Sequence, residues 1–281
     1  MEDITPASFW ANMSPLQPFV NIFRSIFKPG NRQSEGALDK LQDVLGYRYK
    51  SIGLLKQALT HKSSIAPDDT KGLLSNERLE FLGDAVLNCL VTEHLYLAHP
   101  DKSEGQLSKI KSLVVSRKIL GEVAVSFDLG RYLIFGVSEE KSGGRNRLST
   151  LSNAFEAVLG SIYLDGGLEP SKEMLAKFLF GRIPEFLKDE RNINYKSKIL
   201  ELSQRDGFGI PKYVMIAATG PDHAKEFKVR IDIAGVPMGE GVGSNKKIAQ
   251  QNAAQVATLN YNKEEIMACL KGEGTNELVS D

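Results

Sequence analysis

The chain has 281 residues, of which 42% are hydrophobic, and its 35 basic residues balance 35 acidic ones to give a formal net charge of zero. That length allows two domains with cores of ordinary size, and the apolar content is that of a globular protein. No apolar run approaches the ~20 residues that span a bilayer, and the N-terminus lacks a signal-peptide pattern, so we expect a cytoplasmic protein with no membrane partner.

Residues 1–34 contain four prolines and mixed polarity, which predicts a loosely ordered extension. The apolar residues within 19–27 are nevertheless spaced for one face of a helix. That face could dock on the neighbouring domain, lie on a membrane surface or belong to a weak targeting segment. Docking is favoured because Glu2 and Asp3 are unusual in an acid-poor transit peptide.

From residue 35 to residue 188, helical periodicity interrupted by glycine and proline predicts an all-helical domain. Its most informative stretch, residues 76–87, reads NERLEFLGDAVL. On a helix advancing about 100° per residue, Glu77, Glu80 and Asp84 share one face, opposite an apolar one. A solvated acidic stripe is one interpretation. The absence of interleaved lysines favours a cluster that a cation or a basic partner neutralises.

A second helical segment carries Asn153 and Glu156 three residues apart, so both oxygen donors face the same way. Between the two segments, Glu104 is a further candidate donor at the start of another helix. Hard oxygen ligands without histidine or cysteine favour Mg²⁺ or Mn²⁺ over zinc. Gly83 and Gly160 each cost roughly 1 kcal/mol inside a helix, which close approach of the two acid-bearing helices would explain.

Three other groups have simpler interpretations. Cys89, in an apolar helical run, is predicted to be a small buried hydrophobe. His61 has no second histidine at ligand spacing and is predicted to be structural. Lys141, Arg145 and Arg147 flank a glycine pair, where they either contact phosphates or belong to a mobile solvated loop.

Residues 189–194 form a polar connector, and the pattern changes beyond it. Residues 195–262 read as a helix (196–204), three strands (212–218, 226–234 and 238–242) and an alanine-rich helix (245–259). This region carries nine basic residues against six acidic ones, so it is mildly basic although the whole chain is neutral. Residues 263–281 read as a polar tail.

These segments resemble the ribonuclease III family. The NERLEFLGD block at 76–84 is the family signature, with ALTHKS at 58–63, KSGG at 141–144 and FEA at 155–157 around it. The blocks GPDHAKEF at 220–227 and GEGVGSNKK at 239–247 resemble a double-stranded RNA-binding domain. Together these resemblances cover roughly residues 36–262. They imply an all-α endonuclease domain followed by a small α+β domain of order α-β-β-β-α.

The resemblance also implies roles for the acidic residues. Asp84 and Glu156 would be the catalytic, indispensable metal ligands, and Glu80 would join them. Around these ligands the acidic site would include Glu77 and Glu104. Where the commonest family pattern has an aspartate, this chain has Asn153. Because amide oxygens also ligate hard cations, we interpret this as a tuned site rather than a dead one.

In the basic region, Lys246 and Lys247 open a helix whose free amides already favour anions, so both are predicted to contact phosphates. The remaining candidates are more ordinary as isolated residues. By resemblance, His223 would enter the RNA minor groove, and neighbouring Lys225 belongs to the same motif. Ribose hydroxyls, which distinguish RNA from DNA, could be met by Glu201 and Gln204.

The predicted function is therefore that of a Mg²⁺-dependent endoribonuclease, with Mn²⁺ as a substitute, that cleaves double-stranded RNA. The family resemblance implies a homodimer that leaves 5′-phosphates and short 3′ overhangs during processing of structured precursors such as rRNA. The main alternative is a non-catalytic double-stranded RNA-binding or ribosome-associated protein on the same scaffold. A helical phosphohydrolase acting on small nucleotides is more distant, because the appended RNA-binding domain opposes it.

Overall fold

The computed structural model describes residues 32–65, 73–221 and 224–272, and the chain divides into two compact units between Asp189 and Glu190. The predicted extension therefore lies outside the described residues, apart from the start of the first helix at Arg32. His223 and the last nine residues, 273–281, also lie outside them.

The first unit is built from helices joined by short loops and single 3₁₀ turns. Its helices are α1 (Arg32–Leu45), α2 (Ile52–Ala58), α3 (Glu77–Ala98), α4 (Glu104–Val114), α5 (Arg117–Ser126), α6 (Val137–Lys141), α7 (Leu148–Gly166), α8 (Leu168–Phe178) and α9 (Ile183–Lys188). This confirms the predicted all-helical domain. In the described part of the chain, no helix has the length and apolar character that crossing a membrane requires.

Helices α3 and α7 form the centre of this unit because each has an apolar face at helical spacing. Leu79, Val86 and Leu90 of α3 are buried, and Phe155 and Ile162 of α7 are fully buried in the same cluster. The polar faces of both helices remain accessible on the other side. The packing that builds the core therefore also sets the relative positions of the acidic side chains.

The crossing of α3 and α7 is close enough for their backbones to touch. A Cβ atom on Gly83 would lie 1.8 Å from the backbone oxygen of Glu156, and one on Gly160 would lie 2.4 Å from the backbone oxygen of Leu79. Neither space admits a side chain. The prediction that close helix approach explains both glycines is confirmed.

Cys89 corrects the sequence interpretation, because its side chain is exposed rather than buried. It lies on α3 about 140° around the helix from Asp84, next to the exposed side chains of Phe81 and Ala85. The apolar run spans more of the helix circumference than the core covers. The prediction of a buried cysteine was therefore wrong.

The second unit has the predicted order of elements. Helix α10 (Tyr195–Arg205) precedes the strands β1 (Lys212–Thr219), β2 (Glu226–Ile233) and β3 (Val236–Gly243), and helix α11 (Lys246–Leu259) follows them. The strands pair antiparallel in the order β1-β2-β3. Ala234 and Gly235 turn the β2-β3 hairpin with φ angles of 50° and 90°, the left-handed conformation that tight two-residue hairpins require.

Helix α11 packs directly on β3 through small residues. Ala249 and Ala253 are fully buried, and a Cβ atom on Gly241 would lie 2.1 Å from the backbone nitrogen of Ala253. These alanines pack the core, as the sequence predicted.

A further helix, α12 (Lys263–Lys271), follows where only a polar tail was expected. Ile266 is 1% exposed and joins the core of the second unit, and Asn262 caps the helix by accepting hydrogen bonds from the backbone nitrogens of Glu264 and Glu265. One buried residue among charged neighbours was too weak a pattern to predict this helix.

Candidate active site

The acidic faces of α3 and α7 line one open pocket of about 510 Å³ in the first unit. Helix α3 contributes three carboxylates and an aromatic ring, α7 contributes an amide and a carboxylate, and the start of α5 closes one side. The lining residues are Glu77, Glu80, Phe81, Asp84, Val115, Arg117, Asn153 and Glu156. Five of the six residues proposed for the acidic site are therefore in one place.

Glu156 has the most perturbed carboxyl group in this pocket. Burial, followed by repulsion from the Asp84 and Glu80 carboxylates, raises the pKa of Glu156 to about 7, and Arg117 acts in the opposite direction. A proton or a cation would relieve this repulsion. The arrangement therefore favours a positively charged ligand between α3 and α7.

Glu80 lies between several charged groups. Burial and the neighbouring Glu77 raise its pKa, whereas Arg117, Lys62 and a hydrogen bond from the Asn153 side chain lower it. That bond uses the amide NH₂ of Asn153 as the donor. The carbonyl oxygen of the same amide then remains available to accept a hydrogen bond or to ligate a cation.

The outer carboxylates are held by neighbouring side chains. The Lys62 ammonium pairs with Glu77 at 3.0 Å, and the pair is largely exposed at the rim of the pocket. Asn88, one turn along α3, donates to the Asp84 carboxylate at 3.0 Å. This bond limits the rotation of the Asp84 side chain and engages one of its two carboxylate oxygens.

Glu104 is not brought to the pocket. It is the first residue of α4, where Ser103 and Gln106 form a capping box, and its carboxylate accepts a hydrogen bond from the Ser108 hydroxyl at 2.7 Å. Glu104 is not among the residues that line the pocket, so its membership of the acidic site stays a prediction.

Arg117 is the charged residue of the pocket lining that sequence reasoning missed. It opens α5, and its charge lowers the pKa of both Glu80 and Glu156. Position 117 belongs to no motif quoted above. A signal was nevertheless present, because arginine at the first position of a helix is on the unfavourable end of the helix dipole and so asks for another explanation.

The donor set fits a hard divalent cation. Carboxylate and amide oxygens are the ligands that Mg²⁺ and Mn²⁺ prefer, and the residues lining the pocket offer them without histidine or cysteine. In the part of the chain that the structure describes, no three acidic, histidine or cysteine side chains are gathered tightly enough to hold an ion. Side-chain rotation would therefore have to accompany binding.

Two basic residues suggested for phosphate contact are already paired. Arg145 donates to both carboxylate oxygens of Glu140 and to the backbone oxygen of Gly130, and Arg147 pairs with Glu139 at 2.7 Å.

His61 has a structural role, as predicted: its Nδ1 accepts from the backbone nitrogen of Ser63 and caps a 3₁₀ turn.

In the second unit, the lysines proposed for phosphate binding stand at the start of α11. Lys246 and Lys247 are exposed at its first two positions, and Asn245 caps the helix by accepting from the backbone nitrogen of Ile248 at 3.0 Å. By contrast, two cations of the sheet have acidic partners: Lys228 pairs with Glu240 and Arg230 with Asp232, both at 2.7 Å. These two charges are thus partly neutralised within the sheet.

Side chains of α11 tie this helix to the start of α10. The side chain of Gln251 on α11 accepts from the backbone nitrogen of Lys196 at 3.4 Å and donates to the backbone oxygen of Ile193 at 2.6 Å. Gln250 accepts from the Lys196 ammonium at 2.6 Å. Glu201 and Gln204 are exposed farther along α10, and Lys225 is exposed before β2.

Comparison with known proteins identifies both units. A Ribonuclease-III-like family profile matches residues 51–183, and a Double-stranded RNA binding motif matches residues 195–261. A protein named Ribonuclease 3 from Pelotomaculum thermopropionicum is 41% identical over 226 residues, which are 80% of this chain and 94% of that protein. The chain belongs to the ribonuclease III family.

Other relatives of the family agree. Ribonuclease 3 from Aliarcobacter butzleri is 42% identical over 218 residues, 78% of this chain and 95% of the relative. A solved structure of the nuclease domain of ribonuclease III from Campylobacter jejuni is 39% identical, with a TM-score of 0.48, and covers 52% of this chain and 99% of that one. The two family profiles and the Ribonuclease 3 relatives confirm the predicted family, and the profiles together with the described elements confirm its two-domain fold.

Proposed function

We propose that this ribonuclease III family member is a cytoplasmic, divalent-metal-dependent endoribonuclease that cleaves double-stranded RNA. The observation that carries the proposal is the convergence of Glu77, Glu80, Asp84, Asn153 and Glu156 on one pocket, in a chain that also contains a double-stranded RNA-binding motif. Its products would carry 5′-phosphates and short 3′ overhangs. Structured precursors such as rRNA are the proposed substrates.

In this proposal, Glu80, Asp84, Asn153 and Glu156 hold Mg²⁺ or Mn²⁺. When bound, such an ion supplies an activated water and stabilises the charge that develops on the phosphate. Asp84 and Glu156 bring the main negative charge from two different helices. Glu77, paired with Lys62 at the rim, contributes to the field of the pocket without being a ligand.

The second unit would hold the duplex. Lys246 and Lys247 contact phosphates, while Glu201 and Gln204 of α10 face the ribose hydroxyls. Lys225 and His223 belong to the same proposed surface, although His223 lies outside the described residues. Because such contacts read duplex shape rather than base sequence, sequence preference should be weak.

We further propose that the protein acts as a homodimer. Phe81 is 82% exposed and Tyr96 is 70% exposed on the same helix, with Ala85 and Cys89 exposed between them. Large exposed apolar side chains in a row on a central helix are typical of an interface. Since Phe81 also lines the acidic pocket, the second copy would lie next to the cleavage site.

The test is to incubate the purified chain with a long RNA duplex, with and without Mg²⁺, and to map the product ends. Metal-dependent cutting that leaves 5′-phosphates and short 3′ overhangs is expected. Binding of the duplex with no cutting at any Mg²⁺ or Mn²⁺ concentration would instead support the non-catalytic RNA-binding alternative. Size-exclusion chromatography with light scattering measures the oligomeric state on the same preparation.

A further inference from the structure

The acidic pocket contains a basic residue to which the family motifs assign no role. Arg117 is the only basic side chain among the described residues that line the pocket, and it stands opposite four carboxylates. It is exposed at the first position of α5. Its location raises the question of what a permanent positive charge does inside a cluster of acids.

Helix stability does not explain Arg117. The first turn of a helix carries the positive end of its dipole, so a cation there is unfavourable by about 0.3–1 kcal/mol. The cap of α5 is supplied by Ser116, whose hydroxyl accepts from the backbone nitrogen of Ile119 at 3.4 Å. Arg117 is therefore not needed to start the helix.

A fixed ion pair does not explain it either. Several basic side chains of the first unit have acidic partners: Lys62 pairs with Glu77, Arg145 with Glu140, and Arg147 with Glu139. In the described part of the chain, Arg117 forms no comparable ion pair and acts on Glu80 and Glu156 only through space. Its guanidinium donors remain available to a ligand.

The reaction provides such a ligand. The phosphate that is cleaved must reach the carboxylates of the pocket, and a phosphodiester brings a negative charge toward them. A guanidinium presents five donors in a planar fork that matches phosphate oxygens and stays charged at every pH of interest. It also attracts a phosphate that the acids alone would repel.

We propose that Arg117 contacts the phosphate of the RNA strand that is being cleaved and holds it at the acidic pocket. This inference rests on the proposed function and adds a substrate-binding residue to it. Arg117 then acts on the chemical step more than on the overall affinity, because the lysines of the second unit supply most of the duplex binding.

The test compares Arg117→Gln and Arg117→Lys with Arg131→Gln, which removes the same charge from an exposed arginine that does not line the pocket. With RNA and Mg²⁺ both saturating, kcat of Arg117→Gln should fall about 100-fold, as on loss of one charge-stabilising donor. Arg117→Lys should recover part of that loss. The Arg131→Gln protein should cleave like wild type.

A second measurement does not depend on cleavage. In a Glu156→Gln background with Mg²⁺ present, the slope of log Kd for duplex RNA against log salt should become shallower by about 1 when Arg117→Gln is added, as for loss of one phosphate contact. Adding Arg131→Gln should leave it unchanged. This slope reports a phosphate contact, which a purely structural role of Arg117 would not change.

The outcomes separate the two proposals. If wild type fails to cut the duplex, the proposed function fails. If wild type cuts and Arg117→Gln cuts equally fast at saturating RNA and Mg²⁺, then Arg117 does not contact the phosphate and the proposed function stands. Thermal unfolding identifies a misfolded Arg117→Gln protein. In that case the Arg117→Lys protein decides: a kcat equal to that of wild type would overturn the proposal, and a reduced kcat in a normally folded protein would support it.

Discussion

Gly83 and Glu156 touch through their backbones: a Cβ atom on Gly83 would lie 1.8 Å from the backbone oxygen of Glu156. Glu156 belongs to the proposed metal site, and Gly83 directly precedes Asp84, which also belongs to it. The distance between the carboxylates of α3 and α7 is therefore set by a contact that only glycine permits.

Replacing Gly83 with alanine should destabilise the protein by about 3 kcal/mol, the upper end of what overpacking a tight site costs. Gly105→Ala is the matched control. Gly105 is also helical, yet nothing lies within 4 Å of its added Cβ atom, so this change should be neutral or stabilising by up to about 1 kcal/mol. Urea unfolding of both variants measures the difference. Equal stabilities would show that α3 and α7 separate at little cost.

Asp84→Ala and Glu156→Ala should each abolish cleavage while leaving duplex binding largely intact, because the acids hold the metal and the lysines hold the RNA. Cleavage at saturating RNA and the Kd for duplex RNA are the two quantities to measure. Glu173→Ala, at an exposed position on α8 away from the pocket, is the control and should cleave normally. Cleavage within tenfold of wild type by either pocket variant would remove that residue from the site.

Asn153→Asp should lower the Mg²⁺ concentration needed for half-maximal cleavage, because it restores a negative charge beside Glu80 and Glu156. The wild-type protein should remain active through its amide oxygen. In the absence of metal the new carboxylate loses the hydrogen bond to Glu80 and repels it, so the variant should unfold more easily. A Mg²⁺ titration in which the variant needs as much metal as wild type, or more, would contradict a ligand role for residue 153.

The stability of the metal-free protein should depend on pH through Glu156. Its pKa rises from 4.5 to about 7 on folding, mainly because of burial. Between pH 4.5 and 7 the folded state keeps a proton on Glu156 that the unfolded state has lost. The resulting stabilisation is complete below pH 4.5 and is lost as pH rises through 7, so the free energy of unfolding should fall between about pH 5 and pH 8. After allowance for solvent screening, we expect a loss on the order of 1 kcal/mol.

Unfolding of wild type and Glu156→Gln in a metal chelator, at pH 5 and pH 8, measures this effect. The glutamine variant has no proton to lose there, so it should show a smaller drop. Adding Mg²⁺ at pH 8 should restore wild-type stability but not that of the variant. An identical pH dependence in both proteins would mean that Glu156 titrates normally.

A chain that ends at Asp189, the boundary of the first unit, should still dimerise but bind duplex RNA much more weakly at physiological salt. Some cleavage should return at low salt. Fewer lysine-phosphate contacts also mean a shallower dependence of log Kd on log salt. Full-length protein under the same conditions is the control, and an unchanged affinity and salt slope would exclude residues 190–281 from RNA binding.

Local patterns predicted much of the fold because they are strong here. The apolar stripe of α3, the alternation of β2 and the buried alanines of α11 each report which face meets a core, and Gly83 and Gly160 report that two helices touch. Cys89 was misassigned because an apolar run indicates burial only on the side that finds a partner within the same chain. Helix α12 was missed because Ile266 alone anchors it.

The site was predictable where its residues share one helix. Glu77, Glu80 and Asp84 follow from spacing alone, and Asn153 with Glu156 likewise. Arg117 and Glu104 depend on how separate helices pack, which spacing within a helix does not encode. The tertiary arrangement brings the first into the pocket and keeps the second out of it.

The hydrogen bonds of Gln251 to the backbones of Lys196 and Ile193 hold the start of α10 against α11. Helix α10 carries Glu201 and Gln204, and helix α11 carries Lys246 and Lys247. Two helices held at a fixed spacing select a groove of matching width instead of adapting to the groove they meet. A-form RNA has a wide minor groove, whereas B-form DNA has different groove widths and no 2′-hydroxyls. DNA would therefore contact one of the two helices and miss the other. Gln251, which is not among the proposed RNA contacts, would thus help to distinguish RNA from DNA.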